Sequence, residues 1–82
     1  MSHEVVLYGR EGCCLCDEAR EVIMSVRDAH PFTFRERDIE ADDKLLHAYL
    51  ERIPVVTIDG VEAFELFVDA AELEQRLARV GA

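Results

Sequence analysis

The sequence predicts an α/β fold, a mixed four-stranded sheet flanked by three helices in the order βαβ–α–ββα. Three observations predict it. The apolar run Glu4-Val5-Val6-Leu7-Tyr8 is followed by apolar residues at helical spacing and then by an alternating stretch, which together read as a βαβ unit. Two later strand-like runs are separated by Asp59-Gly60, a strong hairpin signal. A final helical stretch follows Asp69, a residue suited to capping a helix start. The βαβ unit requires a parallel pair joined by a right-handed crossover, and the hairpin requires an antiparallel pair, so the sheet is mixed.

Glu4 to Tyr8 is apolar at four of five positions and has two β-branched residues, as expected of a central strand buried on both faces. From about Cys14 to Arg27, residues Leu15, Ala19, Val22, Ile23 and Val26 form one apolar helical face. Asp17 and Glu18 suit the positive first turn and Arg27 the negative last turn. Asp28-Ala29-His30-Pro31 is the stop, because a proline disfavours helix at the residue before it. Phe32 to Ile39 alternates and predicts an edge-like strand with one wet face. Glu40 to Asp43 starts a second helix with Leu45, Leu46, Tyr49 and Leu50 as its buried stripe, and Arg52-Ile53-Pro54 closes it. Val55 to Ile58 and Val61 to Phe67 are the hairpin strands. Asp69 and Glu72 read as a cap and its reciprocal partner, Leu73, Leu77 and Val80 as the last inner face, and Gly81 as the helix end.

The chemistry concentrates at Tyr8-Gly9-Arg10-Glu11-Gly12-Cys13-Cys14-Leu15-Cys16-Asp17-Glu18, which contains all three cysteines of the chain. Cys13 and Cys16 form a C-x-x-C pair where a strand hands over to a helix. Residues three apart share a helix face, so the two sulfurs can meet. The unpaired N–H groups of the first turn favour a thiolate, the nucleophile of disulfide exchange. Cys13 is expected to be the exposed attacking sulfur and Cys16 the more buried resolving one. Gly9 and Gly12 are expected to supply the sharp turn off the strand. Cys14 points about 100° away from Cys13 around the helix and reads as a tolerated small residue. Arg10 could favour the thiolate and attract an acidic thiol substrate, or be a solvated turn residue. Asp17 and Glu18 oppose it, disfavouring a nearby thiolate. For Arg52 a surface salt bridge is expected, and for Tyr8 and Phe67 core packing, with a place on the rim of a substrate groove as the other reading.

With 82 residues, the chain suits one domain spanning 1–82. No apolar run approaches the roughly 20 residues of a membrane span, and no secretory leader pattern opens the chain. Clustered cysteines in an odd number argue for a cytosolic redox or metal site over a secreted disulfide framework, so a cytoplasmic location is expected. The formal net charge of −9 argues against nucleic-acid and anionic-membrane partners.

This element order, with a C-x-x-C at the first helix, resembles the thioredoxin fold across nearly the whole chain. Within that fold, Leu7 to Cys16 is similar to small bacterial glutaredoxin-like proteins with a C-x-L-C motif, and Arg52-Ile53-Pro54-Val55-Val56-Thr57-Ile58-Asp59-Gly60 resembles the same family. The resemblance implies that Pro54 is a cis-proline facing the cysteines, that Ile53 offers its backbone to a bound substrate as an extra strand, and that Asp69 is the acidic residue of the substrate site. It departs from glutathione-using glutaredoxins, which have a Gly-Gly pair where this chain has Leu66-Phe67-Val68 before Asp69. Bulky side chains there oppose the close approach that glutathione needs, so glutathione is left open as a partner. It departs from thioredoxins in having no tryptophan and no buried aspartate in the first strand, only Glu4 at its start.

The expected function is that of a monomeric thiol–disulfide oxidoreductase with a redox-active disulfide, without a bound cofactor, acting on a protein disulfide or small thiol in cell redox homeostasis. Cys13 and Cys16 would be catalytic, and Ile53, Pro54, Arg10 and Asp69 would bind substrate. Two alternatives stand beside it. Cys13, Cys14 and Cys16 could hold a soft metal or part of an iron–sulfur cluster, although a closed zinc site wants four ligands and His3, His30 and His47 are scattered. The chain could also be a redox-inactive interaction domain.

Overall fold

The computed structural model describes residues 3–80, and the side chains of residues 3–78. Strand β1 (Glu4–Gly9) leads through a turn into helix α1 (Cys14–Ala29), which returns to strand β2 (Thr33–Asp38). A 3-10 turn (Ile39–Ala41) and helix α2 (Asp43–Tyr49) follow, then strands β3 (Val55–Ile58) and β4 (Val61–Glu65) and helix α3 (Ala70–Val80). The sheet order is β2-β1-β3-β4. β1 runs parallel to β2, from Glu4 opposite Thr33 to Gly9 opposite Asp38, and antiparallel to β3, with Val5 opposite Ile58 and Tyr8 opposite Val55. β3 and β4 are antiparallel, with a bulge between Val56 and Thr57. The expected mixed sheet is therefore present, with the apolar β1 at its centre.

Alternation along β1 and β3 divides the interior in two. Val5, Leu7, Val56 and Ile58 pack with Ala19, Ile23 and Val26 of α1 and Leu73 and Leu77 of α3. Burial of each large side chain here stabilises the fold by about 1.5–3 kcal/mol. A second, smaller cluster joins Cys16, Ile39 and Ile53, with Tyr8, Leu45, Leu46 and Tyr49 half-buried against it.

Local chemistry sets most element ends. Asp42 accepts from the Lys44 N–H at 2.8 Å and Asp69 from the Ala71 N–H at 2.9 Å, capping α2 and α3. The His30 N–H closes α1 on Val26 O at 2.8 Å before Pro31. Asp59 and Gly60 both have positive φ, 51° and 85°, the backbone that a two-residue hairpin between right-twisted strands requires.

Several expectations are corrected. Ile39 does not extend the edge strand, because the Asp38 carboxylate accepts from the Glu40 N–H at 2.8 Å and turns the chain into the 3-10 segment. β2 is exposed on both faces except at half-buried Phe34. Its Glu36 shares the face of Phe34 but is held by Arg20 of α1, an ion pair in the place of an apolar contact. Leu15 is 36 % exposed, since Cys16, Ala19, Ile23 and Val26 make the inner stripe of α1 and Leu15 lies outside it. Leu50 is 44 % exposed, since α2 (Asp43–Tyr49) ends just before it and leaves it at the C-cap outside the buried stripe. β4 stops at Glu65, where Leu66 takes φ 70° and breaks the ladder. Glu72 approaches Arg76 at 3.9 Å, one turn along α3, as its partner. The Val80 side chain and Gly81 lie outside the described residues.

Candidate active site

The site is built where β1 ends and α1 begins. Cys13 is the N-cap of α1, with extended backbone (φ −90°, ψ 108°), and its Sγ accepts the Cys16 N–H at 3.2 Å. A cap position normally taken by a side-chain oxygen is here taken by sulfur, so an otherwise orphan N–H of the first turn points at Cys13 Sγ. Cys13 and Cys16 are joined in a disulfide with Cα atoms 5.2 Å apart. Cys13 is half-buried and Cys16 is 2 % exposed, so only the first is open to an incoming group. Cys14 is a free, exposed thiol.

The two glycines have different tasks. Gly12 has φ +81° and makes the turn into the helix. Gly9 lies within β1. A Cβ built there would stand 2.7 Å from Cys16 Sγ, so Gly9 is the clearance for that sulfur, and the expectation that it makes the turn is corrected.

On one side of the pair lies a cleft of about 580 Å³ that Gly9, Arg10, Cys16, Asp17, Arg20 and Glu36 help to line. Arg20 organises it. Its Nε and Nη2 donate to Glu36 at 2.6 and 2.8 Å, and its Nη1 donates to Asp17 at 2.9 Å. These hydrogen bonds, to Glu36 first and Asp17 second, hold the Arg20 guanidinium above its ordinary value. The network ties the first turns of α1 to β2 and neutralises Asp17 close to the cysteines. Arg20 and Asp17 stand at i, i+3, a signal legible in the sequence. Glu36 arrives from the next strand and carries no such signal. Arg10 is exposed at the rim of this cleft.

On the other side, the Ile53–Pro54 bond is cis, Pro54 is buried, and Ile53 packs against Cys16 and Ile39. No backbone partner for the Ile53 N–H or C=O occurs among the described residues. Tyr8 and Tyr49 pair with ring centroids 5.0 Å apart, and the Arg52 guanidinium lies 5.4 Å from the Tyr49 centroid. Burial first, and Glu62 second, push the Tyr49 phenol up. Arg52 is fixed by Glu62 and, at 2.6 Å, by Glu65, which is the expected surface ion pair. Phe67, expected in the core, is 68 % exposed. Asp69 caps α3, its Oδ1 accepting the Ala71 and Glu72 N–H groups. Cys13, Cys16 and Ile53 thus share one cluster, Pro54 follows Ile53 in the chain, Arg10 lies at the cleft beside Cys16, and Asp69 caps α3. Among the described residues, no group of three or more His, Cys, Asp or Glu is disposed to hold a metal ion.

A family model described as a glutaredoxin-like domain (DUF836) matches residues 4–78. No curated protein sequence matches the chain significantly. Among solved structures, protein Ne2328 from Nitrosomonas europaea is similar, with TM-score 0.82 and 26 % identity over 93 % of this chain and 92 % of that one. Protein XcR50 from X. campestris is 31 % identical with TM-score 0.77, covering 92 % of this chain and 96 % of that one. A mutant thioredoxin from Halobacterium salinarum NRC-1 has TM-score 0.71 and 16 % identity over 95 % of this chain and 74 % of that one. That last likeness concerns the fold, which is thioredoxin-like.

Proposed function

The chain belongs to the glutaredoxin-like domain family (DUF836), and from that premise we propose that it is a thiol–disulfide oxidoreductase of cytoplasmic redox homeostasis. The observation that carries this reading is the Cys13 sulfur at the N-cap of α1, facing the Cys16 N–H at 3.2 Å and disulfide-bonded to a buried Cys16.

In the reduced protein, the Cys16 N–H and the positive helix start favour the Cys13 thiolate. That thiolate attacks one sulfur of a substrate disulfide. A Cys13–substrate bond forms, the substrate S–S bond breaks, and the other substrate sulfur leaves as a thiolate that takes a proton. The Cys16 thiol loses its proton and attacks Cys13 Sγ, which closes the Cys13–Cys16 disulfide and releases the second substrate thiol. Two electrons pass from the dithiol to the substrate, and an external dithiol or two small thiols return them. Arg10 adds positive charge near the thiolate. The free backbone of Ile53, next to Pro54, pairs with the substrate chain as an added strand. Asp69 contributes by capping α3 and so anchoring the loop after β4.

A redox titration read by mass after thiol alkylation tests the reading. The expected result is a reversible two-electron change that leaves one thiol alkylated, lost in Cys13→Ser and Cys16→Ser and kept in Cys14→Ser. Three thiols that form no reversible disulfide, or that stay protected until a chelator is added, would overturn it and favour the soft-metal alternative.

A further inference from the structure

Beside the cysteine pair lies a second groove, about 350 Å³, between α1 and the segment that follows β4. Leu15 and Val22 form one wall and Leu66, Phe67 and Val68 the other. Its apolar content is unusually open: Leu15 is 36 %, Leu66 40 % and Phe67 68 % exposed. Leu66 is held at φ 70°, a backbone that favours glycine, by its N–H donating to Pro54 O at 2.8 Å and Arg52 O at 3.2 Å. The turn therefore hangs on Pro54, the neighbour in the chain of the Ile53 that packs with Cys16, and Phe67 beyond it is exposed. Leu15 stands between Cys14 and Cys16 in the chain, so one wall of the groove begins within the C-x-x-C stretch.

Charge says what fits there. Glu18 and Glu21 line the groove, both exposed, and neither has an ion-pair partner among the described residues. The only cation in the first two turns of α1, Arg20, is committed to Glu36 and Asp17. The whole chain carries a formal charge of −9. An acidic, apolar-floored groove repels acidic segments and draws basic ones.

Resting on the exchange reading above, we propose that this groove receives an extended, basic polypeptide segment that carries the target disulfide. An apolar side chain near the target cysteine lies over Leu15, Val22 and Phe67, and lysine or arginine residues stand beside Glu18 and Glu21. The groove thereby selects protein disulfides of basic, apolar context over small or acidic ones.

The test uses reduced Cys14→Ser protein and peptides whose single cysteine is a mixed disulfide with thionitrobenzoate. Cys13 attacks the peptide sulfur and the coloured thionitrobenzoate leaves. Cys16 then attacks Cys13 Sγ, which forms the Cys13–Cys16 disulfide and frees the peptide thiol, so the dithiol loses two electrons and the adduct gains two. A peptide with phenylalanine beside the cysteine and flanking lysines should react about tenfold faster at low salt than its glutamate counterpart, the size expected of two rim charge pairs, and the difference should shrink with salt. Phe67→Ser and the double variant Glu18→Gln with Glu21→Gln should each erode the preference, whereas Leu50→Ser, exposed outside the groove, should keep it. Equal rates for all peptides, with the free-cysteine adduct also reacting, would overturn the groove proposal and leave the exchange reading intact. Failure of every adduct would overturn exchange. The groove is then decided by NMR titration of the oxidised protein with the basic peptide carrying serine for cysteine: shifts at Leu15, Val22 and Phe67 support it, and their absence overturns it.

Discussion

The two sides of the sheet are unequally built. On the α1 and α3 side, Val5, Leu7, Ile23, Val26, Val56 and Leu73 are at or near complete burial. On the other face, Val6 and Val55 are buried within the sheet, and the small cluster of Cys16, Ile39 and Ile53 is overlain by half-buried Tyr8, Leu45, Leu46 and Tyr49. The first side supplies most of the apolar burial that keeps an 82-residue chain folded. The second holds the Cys16 sulfur under a thin cover. Bulk stability and the disulfide are thereby separated: the pair belongs to the lightly packed cluster, while the thick core fixes the strand and helix that carry it.

That contrast can be broken at several strengths. Ile23→Ala empties a site at 0 % exposure in the thick core and should cost about 2–5 kcal/mol in urea unfolding. Leu45→Ala, from half-buried α2, should cost about half that or less. Equal losses would remove the distinction between the two sides.

Gly9→Ala acts at the boundary between them. Its Cβ would sit 2.7 Å from Cys16 Sγ, a crowding expected to cost about 1–3 kcal/mol. If Gly9 is the clearance for the sulfur, the reduced and oxidised forms should lose stability by different amounts, and the equilibrium with a reference thiol should move. An unchanged equilibrium would mean that the backbone absorbs the methyl without disturbing the pair.

Thr57 lies at 4 % exposure in β3, and its Oγ1 has no hydrogen-bond partner among the described residues. Thr57→Val should therefore raise stability by about 1 kcal/mol, seen as a higher urea midpoint at an unchanged slope.

The smallest expected effect is at the hairpin, far from the contrast and so a control for it. The Glu4 N–H at 2.9 Å, and then His3 at 2.8 Å, hold the Asp59 carboxyl below its ordinary value. A depressed folded value means that its contribution is full above the unfolded value and is lost as pH falls through the folded one. Wild type should exceed Asp59→Asn in stability near neutrality, and the gap should close in acid. A gap that widened in acid would contradict the assignment. Asparagine tolerates the positive φ, so the turn survives the substitution.

Much of this was legible in short stretches of sequence. The strand-to-helix placement of Cys13 and Cys16, the Asp59-Gly60 hairpin and the Asp69 cap depend on interactions within a few residues, and each is found as read. The errors lie where burial decides. The apolar periodicity of α1 includes Leu15, yet the helix starts just before it and presents Cys16 to the interior. Phe67 is apolar, which favours the core over a groove rim, but the Leu66 turn leaves it in solvent and on the wall of a groove. Ile39 fits the alternation of the edge strand, and one Asp38 carboxylate diverts it into the 3-10 segment.

The element order, the central strand and the cysteine pair at a helix start follow from short stretches of chain, because propensity, periodicity and capping act between near neighbours. The clearance that Gly9 leaves for Cys16, the reach of Arg20 to Glu36, and the acidic groove that Leu15 and Phe67 share arise only in the assembled fold. Those pairs lie from 7 to 52 positions apart. Their meeting depends on how the helices settle across the sheet, a geometry set by the packing of the whole core and written in no single stretch of it.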